Sequence, residues 1–402
     1  MMIPPNNPAR FCEPEVFETL YRFNARLSLQ VESTMYLCVL RAPDSPTAEA
    51  LVQHLQTNLY HGEVICESYF GGDRFSDRAL FRLASMTKLF TAAAVMKLAE
   101  DGRLNIEAPV STYLPAFAHL KIGTLTADGS VRAASMPRRE ITPFDLLTHT
   151  AGLGADTLGN REYDLMPPVE KVSLARVVDR YGASFHLAFE PGSRAAYSGF
   201  AGYDVLARII ELVTGMSFGA YLKAAFFDPL GMPDTTFVPT PEQYARFSPV
   251  QKRVRGEEIE VNFRGEVFRG IPTTYEAAGA ALASTLPDLV RFFRMLARGG
   301  ELDGVRVLRP ESVRCMIAPK LPDNLPGLLP GENNAFGCFV VTGAHRLPRG
   351  SVYTHGAYGT HALFLPRENL VGILLKNSYV DMSLTSHATI EFENALLGKS
   401  GT

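Results

Sequence analysis

Apolar residues recur along this chain at two spacings, and the spacing changes with position. Residues 35–41, MYLCVLR, and 60–70, YHGEVICESYF, are rich in β-branched and aromatic side chains and read as strands. From Ser85 the period lengthens. Met86, Leu89, Phe90, Ala93, Met96 and Leu98 fall at helical spacing, and the pattern stops at Glu100-Asp101-Gly102, where Gly102 suits the left-handed position after a helix. Helical patterns follow over 142–153, 172–182, 203–215 and 287–300. The last quarter returns to strands at 335–343, 352–366 and 369–378, before a final helix over 387–398. Strands at both ends with helices between them predict an α+β fold. One antiparallel sheet is built from both termini and flanked by helices, with a mostly helical region inserted. We expect a single unit over 1–402, with a sheet part made of 20–80 and 330–402 and a helical part over 81–329. Residues far apart in sequence then share one cleft at the sheet edge.

Composition narrows the classes. With 402 residues, 46% hydrophobic and 20% charged, the chain can bury the large core of a soluble globular protein. A formal net charge of −3, dispersed along the chain, gives no footprint for nucleic acid and no polybasic patch for a membrane. The five cysteines (Cys12, Cys38, Cys66, Cys315, Cys338) are odd in number and form no CxxC pair, so neither a zinc site nor a disulfide framework is signalled. The start, MMIPPNNPARFCEPE, lacks the basic and unbroken apolar parts of a secretory signal. The most apolar stretches, LFTAAAVMKLA and NLVGILLK, are far shorter than a membrane span. A cytoplasmic location with reduced thiols is the expectation. No Walker motif, GxGxxG fingerprint or HExxH is present, so no cofactor or metal is expected.

Three segments carry candidate chemistry. Ser85-Met86-Thr87-Lys88 is the only SxxK in the chain. Residues three apart on a helix share a face, about 5–6 Å between Cβ atoms, so the lysine amine can reach the serine hydroxyl. Ser85 could equally be an ordinary helix cap beside a solvated lysine. As a nucleophile it needs a base, and burial in an apolar helix favours a neutral lysine amine able to take the proton. Next, Tyr197 and Ser198 stand between a Glu-Pro-Gly-Ser turn and a long amphipathic helix. Tyr197 is either a half-buried aromatic or a proton relay. Last, His355-Gly356-Ala357 interrupts a run of strand character. Gly356 and Gly359 weaken a strand interior and mark close approach by a ligand or another backbone, whereas His355 alone could be a surface residue.

Taken together, LASMTKLFTAAAVMKLAEDGRLNIEAPVSTYLPAF, ITPFDLLTHTAGL, FEPGSRAAYSG and FFDPLGMPDTTF resemble the serine hydrolases related to class C β-lactamases. That group includes family VIII carboxylesterases, D-alanyl carboxypeptidases and the lovastatin side-chain acyltransferase. The resemblance runs from about residue 60 to residue 380 and implies a β-lactamase/transpeptidase-like fold. It further implies Ser85 as nucleophile, Lys88 and Tyr197 as a shared acid–base pair, and His355, Gly356, Ala357 and Tyr358 as the substrate-binding edge. The oxyanion hole would be the Ser85 N–H plus one N–H from that edge, with Tyr358 the leading candidate.

Two departures bear on substrate. The family's second motif is usually Tyr-x-Asn, whose asparagine contacts a substrate amide, and here it is Tyr197-Ser198-Gly199. The third motif, His355-Gly356-Ala357, is one residue shorter than the common His-Gly-Gly-Ala-Tyr-Gly-Thr. The expected function is therefore a serine ester hydrolase or acyltransferase working through an acyl-enzyme. The expected partner is a small-molecule ester or thioester, with a second acyl acceptor or a carrier-protein donor as options. A β-lactamase or D-alanyl peptidase and a catalytically silent binding protein on the same scaffold are the alternatives. No GxSxG elbow supports an α/β-hydrolase, since GASFH at 182–186 lacks the closing glycine.

Overall fold

The computed structural model describes residues 35–41, 63–69, 77–166, 173–248, 251–254, 257–260, 275–365, 370–376 and 387–397. Seven strands form its main sheet: β1 (Met35–Arg41), β2 (Glu63–Tyr69), β3 (Glu332–Asn334), β4 (Phe339–Val341), β5 (Val352–His355), β6 (His361–Leu365) and β7 (Leu370–Lys376). Their spatial order is β3-β4-β5-β6-β7-β1-β2, and every neighbouring pair is antiparallel. The two ends of the chain meet where β7 pairs with β1, from Met35 opposite Lys376 to Arg41 opposite Leu370. The expected α+β sheet built from both termini is the sheet observed.

Strand β7 is apolar on both faces because both are covered. Val371, Ile373 and Leu375 join the main core, and the alternating residues turn the other way. On that second face Gly372 leaves room for helix α5 (His387–Leu396), since a Cβ there would lie 2.4 Å from Leu396 Cδ1 and 2.7 Å from Phe392 Cζ. Helix α4 (Leu286–Ala297) packs on the sheet, with Phe293 5.5 Å from Phe364 ring to ring. Helix α1 (Thr87–Glu100) lies deeper, its Phe90 stacked on Phe292 at 3.9 Å. Burial on all sides of α1 follows from its sequence: Leu89, Phe90, Ala92, Ala93, Ala94 and Val95 leave no polar stripe for water. Helices α2 (Leu174–Ser184) and α3 (Ala201–Thr214) stand near their expected positions, α3 ending at left-handed Gly215. Among the described residues no single helix is long and apolar enough to cross a membrane.

Three expected elements are shorter or broken. The helix expected over 142–153 covers only Pro143–Leu147. Thr142 and Asp145 form a capping box at its start, but Thr148 turns its hydroxyl onto the Phe144 carbonyl at 2.8 Å and His149 adopts φ 59°. The ladder persists to Thr148, whose N–H still bonds the Phe144 carbonyl at 3.0 Å, and left-handed His149 then ends the helix, with the Thr150 N–H closing back on the Asp145 carbonyl at 2.8 Å. Of the strand expected over 335–343 only β4 is strand; the residues before it form the turn from β3, in which Ala335 N–H bonds the Cys338 carbonyl. The strand expected over 352–366 is a hairpin, β5 and β6, with His355 opposite His361. His355-Gly356-Ala357 therefore lies at a turn rather than inside a strand.

Candidate active site

The short strand Phe81–Arg82, paired with Ala283–Ser284, delivers the chain to the site. Ala84 then takes φ 46°, and the chain enters a single 3₁₀ turn, Ala84–Met86, that runs into α1. A left-handed alanine costs roughly 1–2 kcal/mol, so the surrounding contacts must hold it. Ser85 is not a cap: no side-chain capping bond is made at the start of either helical segment. Among the described residues its hydroxyl has one partner, Lys88 Nζ, at 3.3 Å.

Lys88 is 3% exposed. Burial of its stem is what the apolar helix led us to expect, but its head group is not met by apolar atoms. Nζ donates to the Gly199 and Gly279 carbonyls, each at 2.8 Å. With Ser85 Oγ that makes three partners. An ammonium would spend one proton on each. A neutral amine would give its two protons to the carbonyls and point its lone pair at Ser85 Oγ. The carbonyl pair thus orients either form.

The Gly279 carbonyl is itself held from behind. Asp204, fully buried on α3, accepts the Ala278 N–H at 3.0 Å, the Tyr181 hydroxyl at 3.0 Å and the Tyr275 hydroxyl. Thr91 on α1 donates to the Ala278 carbonyl at 2.8 Å. Burial pushes the Asp204 carboxyl up to about 6, against the pull of the tyrosine hydroxyls and of Lys88.

Tyr197 sits at the mouth, 45% exposed. Lys88 Nζ lies 5.0 Å above its ring centre, and the His149 ring lies 4.6 Å away on a tilted face. Among the described residues the Tyr197 hydroxyl makes no hydrogen bond, so the structure brings its ring to Lys88 but not its oxygen to Ser85.

The Gly356–Thr360 turn lies directly against the residues before Ser85. A Cβ on Gly356 would fall 2.1 Å from the Leu83 carbonyl oxygen and 2.4 Å from Thr360 Oγ1, which itself donates to Leu83 O at 3.0 Å. The approaching backbone inferred from the glycine is thus Leu83. Tyr358 is buried in the left-handed region at φ 76°, and Ala357 is half-buried. His355 stacks on Phe339 at 5.7 Å, and burial, followed by His361, Lys88 and Arg346, holds its imidazole down at about 3. Its Nδ1 has no hydrogen-bond partner among the described residues. Of the described non-glycine residues with positive φ, Ala84, His149 and Tyr358 all border this site. Strain of that kind collects where geometry is being imposed.

Gly356→Ala is expected to force the turn away from Leu83, destabilising the protein by about 1–3 kcal/mol, the usual cost of overpacking. Calorimetric melting of the variant checks it, and an unchanged melting temperature would count against the close approach.

Sequence reasoning missed Gly279, His149 and the Asp204 behind Gly279. Gly279 lies in a run of alanines with no pattern of its own, and its part is played by a carbonyl. His149 stands in the Thr-His-Thr-Ala-Gly stretch, where a lone histidine between threonines was the only signal.

A family profile described as Beta-lactamase matches residues 57–394. The chain belongs to the β-lactamase family. Its curated relatives include the protein named Esterase EstB from Burkholderia gladioli, 32% identical over 268 residues covering 58% of this chain and 62% of that protein. Lovastatin esterase from Penicillium rubens is 30% identical over 255 residues, 60% of this chain and 59% of its own length. Penicillin-binding protein 4 from Amycolatopsis lactamdurans is 32% identical over 240 residues, 59% and 56% of the two chains. The chain thus spans about three-fifths of the length of the curated relatives it matches. Among solved structures, EstCE1, titled a hydrolase with promiscuous acyltransferase activity, aligns over 95% of this chain and 98% of its own at a TM-score of 0.73 and 20% identity. The LovD9 mutant of simvastatin synthase from Aspergillus terreus aligns over the same shares at 0.70 and 20% identity. These likenesses establish the β-lactamase/transpeptidase-like fold. In this member of the β-lactamase family, position 199 is open: a Cβ built on Gly199 meets nothing within 4 Å.

Proposed function

We propose that this chain is a serine-dependent ester hydrolase or acyltransferase that works through an acyl-enzyme on Ser85. The observation that carries the reading is the position of Lys88 Nζ, pinned by two carbonyls and 3.3 Å from a hydroxyl that has no other partner among the described residues. Apo contacts of this length tighten when substrate arrives. In the proposed cycle Ser85 Oγ attacks the substrate carbonyl carbon as its proton passes to the Lys88/Tyr197 pair. The tetrahedral oxyanion is received by the Ser85 and Tyr358 N–H groups. The pair returns the proton to the leaving oxygen or sulfur, the acyl–leaving-group bond breaks, and the acyl group stays on Ser85. Water, or a second alcohol or amine acceptor, then attacks the acyl-enzyme and frees Ser85. Hydrolysis and transfer share every residue and differ in whether the cleft excludes water and holds an acceptor.

Relatives named as esterases support an ester substrate; a thioester, free or borne on a carrier protein, belongs to the same proposal. Gly199 supports the ester reading as well. The usual asparagine would pair with a substrate amide, whereas this position offers only open space. Leaving that amide unpaired in a closed site costs roughly 1–3 kcal/mol, and an apolar acyl ester has no such group to satisfy. We expect kcat/KM for short or medium-chain p-nitrophenyl esters to exceed that for nitrocefin by at least about tenfold, the ratio that 1.4 kcal/mol gives. Steady-state kinetics on one preparation measures it. Equal or faster nitrocefin turnover would assign the site to amide hydrolysis, in the manner of a β-lactamase.

A further inference from the structure

Tyr197 stands on irregular chain ahead of α3, with nearly half its surface in solvent and no hydrogen bond on its hydroxyl among the described residues. Something else must fix its ring. His149 meets it from three directions. The His149 carbonyl accepts the Ala196 N–H at 2.9 Å, and its Nδ1 accepts the Ser198 N–H at 3.2 Å. Its ring backs the ring of Tyr197 at 4.6 Å, tilted by 35°. One residue therefore grips the chain on both sides of Tyr197 and supports the side chain between.

The grip is rigid because His149 is itself held. The flanking Thr148 and Thr150 hydroxyls bond each other at 2.9 Å, and Thr150 N–H bonds the Asp145 carbonyl at 2.8 Å. Asp145 is tied to Arg139 and to the Thr142 N–H, and Asn334 Nδ2 donates to the Thr148 carbonyl at 2.7 Å. This bracing lets His149 keep its left-handed φ of 59°. Burial, aided by the nearby Lys88, pushes the imidazole down to about 3, so the ring stays neutral and Nδ1 remains an acceptor.

We infer that His149 is a positioning residue for Tyr197, setting the ring angle and the backbone from which the tyrosine hydroxyl reaches the leaving group. This rests on the proton-relay role proposed above for Tyr197. His149→Asn places an amide oxygen near Nδ1 and removes the ring; His149→Phe keeps a ring and removes the acceptor.

The test is a double-mutant cycle read on kcat and KM with p-nitrophenyl butyrate. It compares the parent, His149→Asn, Tyr197→Phe and the double variant, each checked for folding by circular dichroism and melting. If His149→Asn does not fold, the same cycle is run with His149→Phe. His149→Asn is expected to lower kcat by about tenfold, part of the 100-fold or more that a placed general acid–base supplies, with KM changed less than about twofold. In the Tyr197→Phe background the same change should move kcat by less than about twofold, because the residue it positions is already disabled. Losses that multiply across the two sites would overturn the inference and leave the Tyr197 mechanism standing. A Tyr197→Phe enzyme with the parent kcat would remove the relay role, and the inference with it.

Discussion

Ser85→Ala is expected to abolish covalent labelling by a fluorophosphonate and to lower ester turnover by at least about 1,000-fold, as the proposed role of Ser85 as acyl carrier requires. The fold should survive. Ser85 makes no capping bond, and among the described residues its hydroxyl contacts only Lys88 Nζ. Its loss should therefore cost less than the 0.5–2 kcal/mol of a removed helix cap, below about 1 kcal/mol. Mass spectrometry of the intact protein and of its peptides after labelling decides the matter. An adduct that persists in Ser85→Ala, or that maps to another serine, would sink the assignment of the nucleophile, and with it the meaning given to the Lys88 geometry.

The SxxK pair was legible because it depends on local spacing alone. A spacing of three, carried here through the 3₁₀ turn into α1, fixes which side chains meet, and the apolar run after Ser85 announced a buried helix. The sheet was legible for a similar reason: β1, β2 and β7 carry strand residues without interruption, and their positions near both ends required the ends to meet. What stayed hidden were positions decided by backbone from elsewhere. The carbonyls on Lys88 come from residues 111 and 191 positions away, and a carbonyl leaves no mark in composition. The Thr-His-Thr stretch reads as helix by pattern, yet His149 turns left-handed and the Thr150 N–H closes back on the Asp145 carbonyl. The pattern at 335–343 is strand only over Phe339–Val341, after left-handed Gly337, and the pattern at 352–366 is strand on either side of the Gly356–Thr360 turn. Those two breaks matter to the site. A Cβ on Gly337 would lie 2.6 Å from the Lys88 carbonyl, and one on Gly356 would strike Leu83, so each places a strand end against the start of α1. Periodicity reports which residues are buried; it does not report where a chain must bend to bring another element within reach.

Lys88→Arg is expected to be nearly as damaging as Lys88→Ala, each slowing the acylation burst by at least about 100-fold, the lower range of what a placed general base supplies. Two arguments converge on this outcome. To take the Ser85 proton the group at position 88 must act in its neutral form, and a guanidinium does not give up its charge in a protein. The second is space. Lys88 is 3% exposed, and its Nζ lies 2.8 Å from both carbonyls, a fit for a single nitrogen that a planar fork cannot match. The two arguments separate when Lys88→Met is added. Methionine has similar length and no base, and it leaves the Gly199 and Gly279 carbonyls without their shared donor. If crowding were the whole effect, Lys88→Met would acylate far faster than Lys88→Arg; if the missing base dominates, the two will be equally slow. Stopped-flow release of p-nitrophenol in the first turnover measures acylation directly, with melting curves to confirm folding. An arginine variant that keeps most of the parent burst rate would show that Lys88 supports the fold around Ser85 without taking its proton.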